Sequence, residues 1–268
     1  MTRVAIIGAA GRMGRELCRA AIETEAIELA GGTVEPGAPE LDSDLGELSG
    51  MGKIGVGAAE DPPGSAEVLI EFTTPEATVE HLSYGKPHVI GTTGLSEEQL
   101  AKVEKAAQTV PVVLAPNMSV GVNLLGDVVR ELSAKLGENY DIEVVETHHR
   151  NKKDAPSGTA LFLAQAAAEG RGKDLDDVAV YGREGLSPRQ SGEIGIHALR
   201  GGAVVGEHKL TFYSAGEEIE VTHRALSRRT FAEGALRAAS FAADVPPGLY
   251  SIKDVLGDSG SGTGQSKS

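Results

Sequence analysis

The stretch Val4-Ala5-Ile6-Ile7-Gly8-Ala9-Ala10-Gly11-Arg12-Met13-Gly14 decides the fold. Four apolar residues with no polar break read as a strand buried on both faces, as a central parallel strand is. Glycines 8, 11 and 14 then turn the chain, and Arg15 to Ile22 carries a helical pattern. Strand, glycine turn and helix together aim backbone N–H groups from a helix N-terminus, where roughly half a positive charge favours phosphate. The spacing is G-x-x-G-x-x-G and not G-x-G-x-x-G, with Ala10 near the usual second glycine. Small residues still let a pyrophosphate approach the backbone.

Reading outward, Ile27 to Val34 is a second strand ending at Glu35, 21 residues after Gly14. An acidic residue near this distance can bond the adenosine ribose hydroxyls of a dinucleotide. Pro36 to Gly50, with its Pro, Gly, Asp and Ser, reads as loop. Further strands are expected at Val68–Phe72, His88–Ile90 and Val110–Leu114. They end in Thr73-Thr74-Pro75, Gly91-Thr92-Thr93-Gly94 and Ala115-Pro116-Asn117-Met118-Ser119. Helices from Pro75 to about Ser83 and from the Ser96 cap to about Ala107 separate them. Repeated β-α-β units with ligand-type loops at the strands' carboxyl ends predict an open α/β sheet of the Rossmann type.

The other organising stretch is Glu143 to Ala160, EVVETHHRNKKDAPSGTA. Net charge is −14, yet five of the six residues His148 to Lys153 are basic. A strand-like run, Ile142 to Val145, leads in, and Pro156-Ser157-Gly158-Thr159 opens an alanine-rich helix. The cluster is therefore expected, exposed, on a strand-to-helix turn suited to a small polyanion. Its two imidazoles and two ammonium groups are potential proton donors. On spacing alone, Lys152 and Lys153 compete for the donor role.

Around this stretch, Val122 to Leu136 reads as an amphipathic helix. Arg171 to Gln190 reads as irregular connector. Glu193–His197, Gly202–Val205, His208–Tyr213 and Glu218–Thr222 read as strands separated by turns, predicting a mostly antiparallel sheet. His197, His208 and His223 lie in it and neighbour no other motif, so they are assigned to structure. Arg228 to Ala243 is helical and is expected to return to the first domain. The expected division is residues 1–119 with 229–257 as a dinucleotide-binding domain, 120–228 as an α+β substrate and oligomerisation domain, and 258–268 as a disordered tail.

Composition narrows the classes. The acidic balance argues against a nucleic-acid or anionic-membrane partner. The single cysteine, Cys18, cannot form an intrachain disulfide or a cysteine metal cluster, and its helical position assigns it to packing. No metal site is expected. With no leader pattern before Val4 and no apolar run near 20 residues, a cytoplasmic protein is expected.

Taken together, GAAGRMG at Gly8 to Gly14, GTTG at Gly91 to Gly94, APNMSVGVN at Ala115 to Asn123, RGG at Arg200 to Gly202, GLYSIKDVLG near the C-terminus and, above all, E-x-x-E-x-H-H-x-x-K-x-D-x-P-S-G-T-A resemble the dihydrodipicolinate reductase family of lysine and diaminopimelate biosynthesis. The resemblance spans about residues 3 to 257. It implies NAD(P)H-dependent reduction of a cyclic imine dicarboxylate, 4-hydroxy-tetrahydrodipicolinate, and assembly as a homotetramer. It implies His148 and Lys152 as catalytic residues, and His149, Gly158 and Thr159 as substrate contacts. The implied cofactor contacts are Gly8, Ala9, Ala10, Gly11, Arg12, Met13, Glu35, Gly91, Thr92, Thr93, Ala115, Pro116, Asn117 and Met118. Members using NADPH often carry Arg after the position of Glu35; Pro36 stands here, so NADH is the expected preference with NADPH also accepted. Two other readings fit less of the chain. A semialdehyde or polyol dehydrogenase is one, although Cys18 is misplaced for an aldehyde-oxidising enzyme. A non-catalytic NAD(H) sensor is the other, and it leaves HHRNKK unexplained.

Overall fold

In a computed structural model, which describes residues 1–257, the chain alternates strand and helix: β1 (Thr2–Ile7), α1 (Arg12–Glu23), β2 (Ile27–Thr33), α2 (Leu45–Ser49), β3 (Ala58–Ala59), β4 (Val68–Glu71), α3 (Pro75–His81), β5 (His88–Ile90), α4 (Glu97–Ala107) and β6 (Pro111–Leu114). It continues with α5 (Val120–Leu136), β7 (Asp141–His148), α6 (Gly158–Gly170), α7 (Leu175–Val178), β8 (Ala179–Tyr181), β9 (Ile194–Arg200), β10 (Gly206–Tyr213), β11 (Glu218–Ala225), α8 (Arg229–Asp244), β12 (Gly248–Tyr250) and α9 (Ile252–Leu256). The expected tail, 258–268, lies outside the described residues. Two units form: Met1–Val120 with the segment from Arg228 onward, and Gly121–Ser227. No helix among the described residues is long and apolar enough to cross a membrane.

The first unit holds a parallel sheet in the order β12-β6-β5-β4-β1-β2-β3. Val4 to Ile6 are fully buried because β1 is central and covered on both faces. One core cluster joins Val4, Ile6 and Val68 to α1 and to Ala235, Ala238 and Ala239 of α8; Cys18 packs there too. Burying its thiol pushes the pKa up to about 12, so it stays protonated and inert. The crossover starts at β1, where chain connections leave in opposite directions along the sheet, so the carboxyl ends of β1, β2 and β4 face a common crevice.

One departure is α2, which interrupts the loop expected at Pro36–Gly50. Asp44 caps it, accepting from the amides of Gly46, Glu47, Ile54 and Gly55. A carboxylate taking that many amide bonds stabilises a helix too short to show periodicity. β12 and α9 were likewise unexpected; β12 is an edge strand of three residues.

The second unit's sheet runs β11-β10-β7-β9-β8 and is mixed, not mostly antiparallel. β11, β10 and β7 pair antiparallel, whereas β7, β9 and β8 pair parallel. The reason is the connection: β7 reaches β9 through α6 and α7, a crossover that permits parallel pairing, while only the later strands join by short turns. The expected strand at Gly202–Val205 is the turn between β9 and β10, and the expected irregular connector holds α7 and β8. Apolar Ile142, Val144, Ile194, Ile196, Leu210 and Phe212 face α5 and α6 in one core. The other face carries Glu143, Thr147, Lys209 and Leu199, none of which joins that core.

Candidate functional site

In the first unit the carboxyl ends of the parallel strands bring together every predicted cofactor loop. Gly8 follows β1, Glu35 lies two residues beyond β2, Gly91-Thr92-Thr93 follows β5 and Ala115-Pro116-Asn117-Met118 follows β6. Gly8 takes φ +73°, and a Cβ on Gly14 would lie 2.2 Å from the Gly8 carbonyl. Only glycine lets α1 start this close to the turn. Gly11, the N-cap, has no side chain to occupy the helix end, and Arg12 is exposed beside it. A pyrophosphate fits such an end. Glu35 is exposed, as a ribose ligand has to be.

Two of the predicted contacts have other work. The Thr92 hydroxyl is buried, accepting from Thr78 Oγ1 at 2.9 Å and from the Thr73 amide at 3.1 Å. Met118 is also buried, within the core beneath α8. Both position their loops. A network the sequence reading missed supports them. Glu71, the last residue of β4, is fully buried; His81 Nδ1 lies 2.8 Å away and the Thr73 hydroxyl donates to it at 2.9 Å. His88 Nε2 approaches its other oxygen at 3.1 Å but off the hydrogen-bonding direction, an electrostatic contact only. Burial opposes ionisation of Glu71, yet the histidines outweigh it and hold its pKa down to about 2. A cavity of about 220 Å³ touching Thr24, Ile27, Glu233 and Arg237 lies at the amino-terminal end of β2, away from these loops.

In the second unit a two-residue period builds the site. β7 sends Ile142, Val144, Glu146 and His148 to the helix-covered face. In register, β10 places His208 opposite Glu146, and β9 places Arg200 opposite His148. The inner face is thus apolar at one end of the strands and ionisable at the other. The strand runs through His148, so this residue is buried and not exposed on a turn as expected.

Glu146 is the hub. Arg200 grips it with two parallel bonds of 2.8 Å. His148 Nδ1 lies 2.5 Å from Oε2, and the Ser157 amide donates to Oε1 at 3.0 Å. Burial raises the Glu146 pKa, but Arg200 and His148 more than offset it, so the carboxylate is held below its usual range. Burial pushes the His148 pKa down, only partly countered by Glu146. A neutral imidazole beside an ionised carboxylate donates from Nδ1, which leaves a lone pair on Nε2. A Cβ on Gly206 would lie 3.0 Å from that Nε2, so a glycine there keeps space around it.

After His148 the chain turns. Lys152 is half-buried and its ammonium donates to Asp154 at 2.8 Å, while Lys153 and Arg150 are exposed. His149 is half-buried, and its Nδ1 is buried with no hydrogen-bond partner among the described residues. Ser157 caps α6 through the Ala160 amide at 3.2 Å, with Gly158 open at the helix start and Thr159 beside it. The structure thus brings His148, Lys152, Gly158 and Thr159 to one end of one sheet. His208, assigned to structure for want of a neighbour, has Nε2 3.0 Å from Ser157 Oγ and its ring 5.1 Å from that of His148. Its isolation was an artefact of chain distance: antiparallel pairing delivers it. Burial, and repulsion from His148 once that ring is itself protonated, hold its pKa down at about 4.

Residues 2–118 match the model for the N-terminal part of dihydrodipicolinate reductase, and residues 121–256 that for its C-terminal part. The chain belongs to the dihydrodipicolinate reductase family. A 4-hydroxy-tetrahydrodipicolinate reductase of Rubrobacter xylanophilus is 72% identical over 97% of this chain and its own entire length. That of Hahella chejuensis is 48% identical over 96% of this chain and 99% of its own. A solved dipicolinate-bound dihydrodipicolinate reductase from Paenisporosarcina sp. TG-14 superposes with TM-score 0.72 at 25% identity, covering 96% of this chain and all of that one.

Proposed function

We propose that this member of the family reduces 4-hydroxy-tetrahydrodipicolinate to tetrahydrodipicolinate with NAD(P)H, a step of lysine and diaminopimelate biosynthesis. The observation that carries this is the buried Glu146–His148–Arg200 cluster next to Lys152 and the open start of α6, in a chain 72% identical to a reductase of that name.

When bound, the nicotinamide supplies a hydride. The net change replaces a hydroxyl by hydrogen and releases water, so one proton is consumed. The Lys152 ammonium is its source. The Asp154 carboxylate holds that ammonium in place; burial raises the Asp154 pKa, Lys152 lowers it by more, and the net is a carboxyl held below its ordinary range. His148, neutral with a lone pair on Nε2, relays the proton and is not its resting store. The start of α6 at Gly158 and Thr159 binds one substrate carboxylate with N–H groups, and His149 contacts the substrate.

Gly8 to Met13 cradle the cofactor pyrophosphate, Gly91 to Thr93 and Ala115 to Met118 flank the nicotinamide end, and Glu35 bonds the adenosine ribose. NADH binds more tightly than NADPH, because a 2′-phosphate would meet the Glu35 carboxylate and Pro36 supplies neither cation nor amide. The protein works in the cytoplasm as a homotetramer, using the sheet face of the second unit that carries no apolar core. Sedimentation tests the assembly, and a stable monomer at micromolar concentration refutes it. NADH oxidation with enzymatically generated substrate tests the activity; cofactor binding without turnover refutes it in favour of a sensor.

A further inference from the structure

We propose that Glu146 is a positioning residue that fixes the tautomer of His148 and, through the same carboxylate, the start of the substrate-binding helix, with Arg200 as its permanent counter-charge. This rests on the function proposed above.

The geometry divides the carboxylate cleanly. Oε2 serves His148 Nδ1 and one Arg200 nitrogen; Oε1 serves the Ser157 amide and the other Arg200 nitrogen. Arg200 also donates to the Asp154 carbonyl at 2.6 Å, and the Asp154 side chain holds Lys152. One anion therefore ties the imidazole, the lysine turn and the α6 cap into one unit. The Ser157 amide and the two Arg200 nitrogens can only donate, so the carboxylate remains ionised, and His148 Nδ1 has to meet it as a donor. A buried carboxylate held at both oxygens by one arginine costs more to desolvate than a structural cap requires, since the Ser157 hydroxyl already caps α6. What the charge adds is direction: it demands a proton on His148 Nδ1 and so keeps Nε2 an acceptor. The other groups around it agree. His208 on β10 and His223 on β11 are both held below their ordinary pKa by burial, so neither competes as a cation, while Lys152 supplies positive charge from the turn.

Glu146→Gln separates these effects. The glutamine oxygen stays with Ser157 and Arg200, where two donors meet it. Its amide group then faces His148 Nδ1, which must accept, and the ring proton moves to Nε2. The full chain, labelled with ¹⁵N-histidine and with His148 assigned by its loss in His148→Gln, is observed by long-range ¹H–¹⁵N NMR at pH 7. The wild type shows a neutral Nδ1–H imidazole, and Glu146→Gln shows Nε2–H. In kinetics Glu146→Gln lowers kcat by about 10²-fold or more, as a reversed tautomer does in triads, with a smaller rise in the KM of the dicarboxylate. In a His148→Gln background the same change costs only a few-fold, and Glu146→Asp restores the Nδ1–H form. An Nε2–H or imidazolium His148 in the wild type overturns the proposal, and so do equal losses in both backgrounds. Should Glu146→Gln not fold, the wild-type spectrum still decides. Should the wild type not oxidise NADH with substrate, the proposed function fails while the spectrum still judges the tautomer.

Discussion

Glu71 and Glu146 are both fully buried, both lie at or near the carboxyl end of a strand, and both hold histidines, yet they are balanced differently. Glu146 has arginine, a cation at every accessible pH. Glu71 touches only histidines and a threonine hydroxyl among the described residues. The first arrangement keeps its charge whatever the proton does and suits a place where protons move. The second sets a carboxylate between two histidine rings and ties Thr73, hence Thr92, to the loops at the sheet's carboxyl ends. Burial of a carboxylate thus says little by itself; its partner decides whether it directs chemistry or holds a loop.

The largest effect should separate the two regions chemically. Lys152→Ala is expected to lower kcat by about 10²-fold or more while leaving NADH affinity unchanged. Lys153→Ala, at an exposed site, should cost no more than a few-fold. Steady-state kinetics with cofactor titration checks both, and a more damaging Lys153→Ala would reverse the assignment.

Acidification should break the second unit's balance before the first's. His208 takes up its proton near pH 4 when folded but near 6.5 when unfolded, so the unfolded state binds more protons in between. Stability from this group is present above 6.5 and lost as pH falls towards 4; His148 and His223, also depressed, act in the same direction. Glu71 contributes stability above about 4.5 that is lost as pH falls towards 2. Urea unfolding across pH should show both declines, each on the order of 3 kcal/mol at its limit, and His208→Gln should flatten the upper one.

Glu71→Gln should cost about 2 kcal/mol of stability by leaving a buried partner unsatisfied. It should weaken NADH binding a few-fold and spare kcat. Thermal unfolding and calorimetry measure these, and a kcat loss matching that of Glu146→Gln would erase the distinction drawn between the carboxylates.

The smallest effect concerns the cofactor edge alone. NADH should bind about tenfold tighter than NADPH, on the order of 1–2 kcal/mol. Pro36→Arg should close or invert that gap without touching the second unit, as calorimetry with both cofactors would show. Equal affinities in the wild type would mean that Arg12 reaches the 2′-phosphate.

By itself the sequence determined the parallel sheet, the glycine turn and the stretch from Glu143 to Ala160. Each is written locally: an apolar run, glycines that tolerate a tight turn, and a strand leading to a capped helix. It did not determine the mixed second sheet, because strand direction depends on which crossover lies between two strands and not on their residues. Nor did it show α2, whose stability comes from Asp44 bonding amides ten and eleven residues on. The tertiary structure alone decided that Glu146 faces Arg200, 54 residues away, and that His208 meets Ser157, 51 residues away. Such partners carry no mark in the chain, because strand register sets which side chains share the end of a sheet. That register is fixed by the apolar pairs further along the strands, Ile142 with Ile194 and with Phe212, which must share the core before the polar residues beyond them can meet.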